Sequence, residues 1–239
     1  FKTIMKALKE LWSRYERLFE NNPVLNEIFM RGFCYSEVSR RDILVMGINP
    51  SFRQQENETV KNCKCLSFKY DNVKSNDRYF RQIRNFVGNL DNKTDYLDVF
   101  NYRETVQKKV FTFLNDKTGV KFLAENLLIT QLQIEQVVKP KLIIVKNKDA
   151  WMFWGRYAAE YQYENCIWMG YILQKVKDTD CGEVYQIKGL IDNRQRVGYD
   201  CLKETQLIGT LILFTKHYQY CKAAERPTAA IIQELYNLI

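Results

Sequence analysis

Asp42-Ile-Leu-Val-Met-Gly-Ile-Asn-Pro-Ser-Phe52 is the stretch that decides the fold of this 239-residue chain. Ile43 to Met46 form an unbroken apolar run, the pattern of a strand buried on both faces in a parallel sheet. Gly47 then permits a close backbone approach, while Pro50 fixes its own φ and biases Asn49 towards extended geometry. The strand therefore ends abruptly and presents Asn49 at its carboxyl end. In open α/β sheets that edge is where ligands bind.

Three further runs read as strands, at about Tyr96 to Phe100, Leu142 to Val145 and Leu207 to Phe214. With the first, they begin near residues 43, 96, 142 and 208 and alternate with helical patterns, as a parallel three-layer domain requires. The expected architecture is a single α/β domain over residues 1–239, a three-layer α/β/α sandwich on a central four-stranded parallel sheet. Helices are expected over about 3–20, from Pro23 to Met30, from Asp77 to Val87 with Ser75 or Asn76 as cap, from Val120 to Val138, after an Asp149 cap, and from Ala223 to Ile239. Trp12 falls on the apolar face of the first helix and reads as core. The alternating runs Ile167 to Val176 and Val184 to Ile187, separated by Asp178 to Gly182, predict a β hairpin at the sheet's edge. Ser51 to Ser75 reads as a long polar loop, either a pocket wall or DNA-contacting flap, or a disordered insertion.

At 46% apolar, the chain can bury one substantial core. Its net charge of +8 and pI of about 9.0 suit a polyanionic partner such as nucleic acid, or simply a basic surface. The 15 Tyr, 14 Phe and 4 Trp offer stacking surfaces for bases, although most belong in a core. Seven cysteines, an odd number, favour free thiols in a reducing cytosol and a cytoplasmic location. Cys63 and Cys65 are the only close pair, so no iron–sulfur cluster is expected, and a single histidine argues against a His-rich metal site. No metal and no cofactor is expected. No apolar run reaches the ~20 residues of a membrane span. The chain is expected to act as a monomer. It opens on Phe1, so residues upstream of it are expected.

Gly47-Ile-Asn-Pro-Ser51 resembles the first active-site motif of the uracil-DNA glycosylase superfamily, in the form carried by its mismatch-specific and single-strand-selective branches. Asn76-Asp-Arg-Tyr-Phe80 resembles the helix opening that follows this motif in the mismatch-specific relatives, and Lys139-Pro-Lys141 resembles the approach to their third strand. His217, the only histidine, stands just past the last strand, where the family has its second motif. The pattern departs from the family there: the chain reads His217-Tyr-Gln-Tyr-Cys221, without the usual Pro-Ser. It also has Asn49 where faster relatives carry aspartate. An amide can orient water but cannot take its proton, so the resemblance implies a modest enzyme.

The resemblance implies a uracil-DNA glycosylase-like fold and hydrolysis of the N-glycosidic bond of uracil or a related damaged base. The nucleotide is flipped out of the DNA, Asn49 positions water, and His217 donates a hydrogen bond to the departing base. Gly47, Ile48, Pro50, Ser51 and Phe52 would line the base site. Phe68 would stack on the base, with Phe52 and Tyr70 as alternatives. Arg53, Arg103 and Lys216, each near a strand's carboxyl end, are expected to contact DNA, and Gln219 and Tyr220 would occupy the minor-groove positions. Two other readings stay open: a glycosylase-like protein that binds nucleic acid or nucleotides without cleaving, and a basic α/β domain whose Gly-Ile-Asn-Pro turn is only structural.

Overall fold

Strand β2 (Ile43–Gly47) is buried along its whole length because a strand lies on each side of it. The computed structural model describes residues 2–53, 58–157, 167–192, 196–198, 202–218 and 221–239. On one side β2 pairs in parallel with β4 (Thr94–Asp98), and on the other with β5 (Leu142–Val145). β5 pairs in parallel with β8 (Leu211–Thr215), and β7 (Gly182–Leu190) and β6 (Tyr171–Thr179) continue the sheet antiparallel. The six-stranded order is β4-β2-β5-β8-β7-β6. The expected hairpin thus extends this sheet beyond β8.

Side chains that alternate along each strand separate into two cores. Leu44, Met46, Leu97, Ile143, Val145, Ile212 and Phe214 face one cluster, and Ile43, Val45, Tyr96, Leu142, Ile144, Leu211 and Leu213 face the other. The first is covered by α1 (Lys2–Tyr15), α2 (Pro23–Met30), α5 (Val110–Leu114) and α6 (Lys117–Gln133). Trp12 belongs there as expected, its ring 5.1 Å from Phe122 and its Nε1 donating to the Phe29 carbonyl. The second is covered by α4 (Arg78–Val87) and α8 (Ala229–Tyr236). Helices therefore cover both faces of the sheet.

Several boundaries differ from the sequence reading, each for a local reason. Residues 58–75 are not a structureless loop: they carry α3 (Glu58–Asn62) and β3 (Cys65–Phe68), which pairs in parallel with β1 (Phe33–Ser36). Neither strand was expected, because each is four residues long and only partly apolar. Asp77, rather than Ser75 or Asn76, caps α4, its carboxylate accepting the Tyr79 and Phe80 N–H groups. Asn147, rather than Asp149, caps α7 (Lys148–Trp151). α1 stops at Tyr15, and α6 widens into a π turn over Ile134–Val138. Left-handed Lys139 and then Pro140 end that turn. α8 begins only at Ala229, where Thr228 caps it, because Pro227 has no N–H to donate within a helix.

Candidate active site at the carboxyl edge of the sheet

Parallel pairing brings the carboxyl ends of four strands to one edge. Gly47 is in register with Asp98, and the Lys146 N–H donates to the Met46 carbonyl, so Lys146 follows directly on β5. Asn49 lies two residues past β2 and His217 two residues past β8. Asp98 and Lys146 share the strand parity of Tyr96 and Ile144, the side covered by α4. There the Tyr96 hydroxyl donates to Asp98 Oδ1 at 2.6 Å and lies 2.9 Å from the Tyr79 hydroxyl. Lys146 Nζ sits 3.8 Å from the centre of the Tyr79 ring.

Gly47 is what lets this cluster form. A Cβ there would lie 2.2 Å from the Tyr96 hydroxyl and 2.4 Å from Asp98 Oδ1. The glycine serves close approach by side chains of its own protein.

Burial dominates the electrostatics. Asp98 is pushed up to about 7 by desolvation, against the Tyr96 hydrogen bond and the charge of Lys146. Lys146, 2% exposed, is pulled down to about 7 by desolvation, with Asp98 opposing. Its Nζ has no hydrogen-bond partner among the described residues. His217, half-buried, is lowered to about 4 by burial and by the charge of Lys146, so its imidazole is neutral at pH 7.

Asn49 is held rigidly. Its Nδ2 donates to the Glu104 carbonyl at 2.6 Å and to the Pro50 carbonyl at 3.0 Å. Two carbonyl acceptors fix which end of the amide is nitrogen. Among the described residues Oδ1 is left buried without a partner. Glu104 is itself anchored: burial would raise its carboxyl, but the Val106 N–H, Lys109 and Arg31 hold it below its ordinary value. Its N–H returns to the Pro50 carbonyl, tying the Asn49-Pro50 turn to the chain beyond β4.

The other expected site residues divide. Ile48 is fully buried beside the turn, Pro50 is half-buried, and the exposed Ser51 hydroxyl lies 3.2 Å from Thr105 Oγ1. Phe68 packs on Phe80 and Tyr96, with ring centres at 5.3 and 5.8 Å, in the aromatic wall that holds Tyr79. Phe52 is covered by the guanidinium groups of Arg31 and Arg103 at 4.8 and 5.0 Å. Tyr70 is buried, its hydroxyl bonded to Asp91. Arg103 corrects the sequence reading: it is 1% exposed, and its Nη1 donates to the Arg31, Val60 and Cys63 carbonyls. It binds three chain segments together and does not reach the surface, so it cannot be the exposed cation the sequence reading expected. Arg53 and Lys216 are accessible, beside Asp77 and Glu225 respectively. Gln219 and Tyr220 lie outside the described residues.

Asp98, Lys146, Tyr79 and Tyr96 were not singled out from sequence. The available signal was a charged residue abutting a buried apolar run, as in Tyr96-Leu-Asp98 and Ile144-Val-Lys146, because such a charge ends up at the sheet's edge. A separate cleft of about 340 Å³ between α1 and α6, lined by Arg14, Glu125 and Trp168 among others, includes neither Asn49 nor His217. Among the described residues no group of three or more His, Cys, Asp or Glu side chains could hold a metal, and no helix is long and apolar enough to cross a membrane. Comparison with protein-family models, curated proteins and solved structures finds no match to this chain.

Proposed function

We propose that the chain is a DNA glycosylase of the uracil-DNA glycosylase type, built on a uracil-DNA glycosylase-like three-layer sandwich around the parallel strands β4-β2-β5-β8. In this reading it hydrolyses the N-glycosidic bond of uracil or a related damaged base in DNA. The observation that carries the reading is Asn49 Oδ1, a buried carbonyl oxygen without a partner among the described residues, on an amide whose nitrogen is pinned by two backbone carbonyls. Such an oxygen is prepared to accept a hydrogen from a water and aim it.

The opposite role falls to His217. β2 and β8 flank β5, so their ends are separated by two strand spacings, roughly 10 Å. The flipped base would lie beyond the end of β5, between the two groups. A neutral imidazole there donates a hydrogen bond to a base as negative charge grows on it. Phe68 and the neighbouring Tyr79 supply aromatic faces, and Arg53 and Lys216 supply cations for phosphate. The non-cleaving alternative is favoured by one feature, Tyr218 following His217 where the resembling family has proline.

The test is release of uracil from single-stranded, G·U and A·U oligonucleotides by wild type, Asn49→Ala and His217→Ala. Each substitution is expected to lower turnover by ~10²-fold or more, with DNA binding little changed. Activity that survives both would mean that the chemistry lies elsewhere. Tight DNA binding without base release from any substrate would favour the non-cleaving alternative.

A further inference from the structure

Lys146 has no role in the mechanism above, and its position is hard to explain by stability. It is 2% exposed, follows the central strand β5, and its Nζ has no hydrogen-bond partner among the described residues. An ammonium group carries three donors. The face of Tyr79, 3.8 Å away, compensates one direction at most and supplies no full negative charge. Asp98 is the nearby acid, and its Oδ1 is already engaged by the Tyr96 hydroxyl. A buried ammonium whose donors are all unfilled is strongly unfavourable unless a ligand fills them.

Topology identifies where a negative charge besides that of Asp98 would arise. β5 lies between β2 and β8, so Lys146 stands between the strand that delivers Asn49 and the strand that delivers His217. In glycosidic hydrolysis the C–N bond breaks with its electron pair leaving on the base, while water adds to the sugar carbon and passes its proton to bulk water, from which the base anion is protonated after release. The base is then an anion delocalised over its ring nitrogen and carbonyl oxygens. A neutral histidine offers that anion a hydrogen bond but no charge.

We propose that Lys146 is a second catalytic group of this site, the cation that stabilises the departing base as an anion. The proposal rests on the glycosylase reading. The low proton affinity of His217, caused in part by Lys146, is consistent with the two groups addressing the same ligand. The division of labour makes the enzyme selective for bases that leave as anions, and release should depend on the acidity of the base.

Two measurements on the whole chain separate this inference from the reading beneath it. The first is release of uracil and of the more acidic 5-fluorouracil from matched oligonucleotides by wild type, Lys146→Met and Lys146→Gln. Both variants should lose ~10²-fold or more on uracil and markedly less on 5-fluorouracil, since a better leaving group needs less help. A structural defect would lower both substrates equally, and an unchanged ratio would overturn the proposal. The second is equilibrium binding of free 5-nitrouracil, largely anionic at neutral pH, against uncharged thymine. Wild type should prefer the anion, and Lys146→Met should weaken its binding at least ~10-fold without changing thymine. If wild type releases no base yet binds 5-nitrouracil through Lys146, the glycosylase reading fails and the anion site stands. Absence of any Lys146-dependent preference for the anion overturns the site itself.

Discussion

Replacing Lys146 by methionine should make the protein more stable, even as it removes a proposed catalytic charge. The magnitude follows from proton linkage. Burial lowers the lysine from an ordinary 10.5 to about 7. A difference of that size is worth about 5 kcal/mol between the charged and neutral forms. Between pH 7 and 10.5 the unfolded chain binds more protons at this position than the folded one, so wild-type stability rises with pH through that window. Below pH 7 the amine is charged in both states and the full penalty is present. Methionine has a similar stem, needs no hydrogen-bond partner and keeps the contact with the Tyr79 ring. The Asp98 attraction is already contained in that shift. Allowing for the lost cation–π contact and the polar atoms repacked around the new side chain, a gain of about 2–4 kcal/mol is expected at neutral pH. Urea unfolding at about pH 6, 8 and 10 measures it. The variant should exceed wild type most at the lowest pH, and the difference should shrink as the wild-type amine loses its proton. A variant less stable than wild type at about pH 6, or a difference that stays flat with pH, would refute the reasoning.

Four other expectations follow from the same edge of the sheet. The imidazole of His217, the only histidine, should titrate by NMR near 4 instead of 6.5, and its midpoint should rise in Lys146→Met because the neighbouring charge is gone; an unperturbed midpoint would mean that the ring is solvated. Gly47→Ala should destabilise by about 1–3 kcal/mol, because the new methyl group must displace the Tyr96 hydroxyl and Asp98 Oδ1; thermal unfolding reads this, and a neutral effect would show that the cluster yields easily. Arg103→Ala should lower stability by about 3 kcal/mol or more by removing the donor on which three backbone carbonyls converge, while the salt dependence of the proposed DNA binding stays unchanged. Arg53→Ala and Lys216→Ala should do the reverse, each flattening the log–log salt slope by about one with little effect on folding. A lower salt slope in a folded Arg103 variant would return that residue to the proposed DNA interface.

Much of the framework was legible in the chain. Ile43 to Met46, Leu142 to Val145 and the run ending at Phe214 read as buried strands because a strand covered on both faces needs apolar residues at consecutive positions. Pro50 and Gly47 marked an abrupt exit, and the structure has the Asn49 turn at the sheet's carboxyl edge. The hairpin's alternation was equally plain. These signals are local: each depends on a residue and its near neighbours along the chain.

What the sequence could not show depends on groups far apart in it. Arg103 looked like a surface cation because nothing nearby reveals that the Arg31, Val60 and Cys63 carbonyls converge on it. β1 and β3 escaped notice because each four-residue segment is stable only against the other, about thirty residues away. Lys146 and Asp98 read as ordinary polar residues ending strands. Only parallel pairing of β4, β2 and β5, with α4 laid over one face, buries both and sets the Tyr79 ring against the amine. A side chain's charge is written in its type, but its solvation, and hence its proton affinity and chemistry, is set by the atoms that folding packs around it.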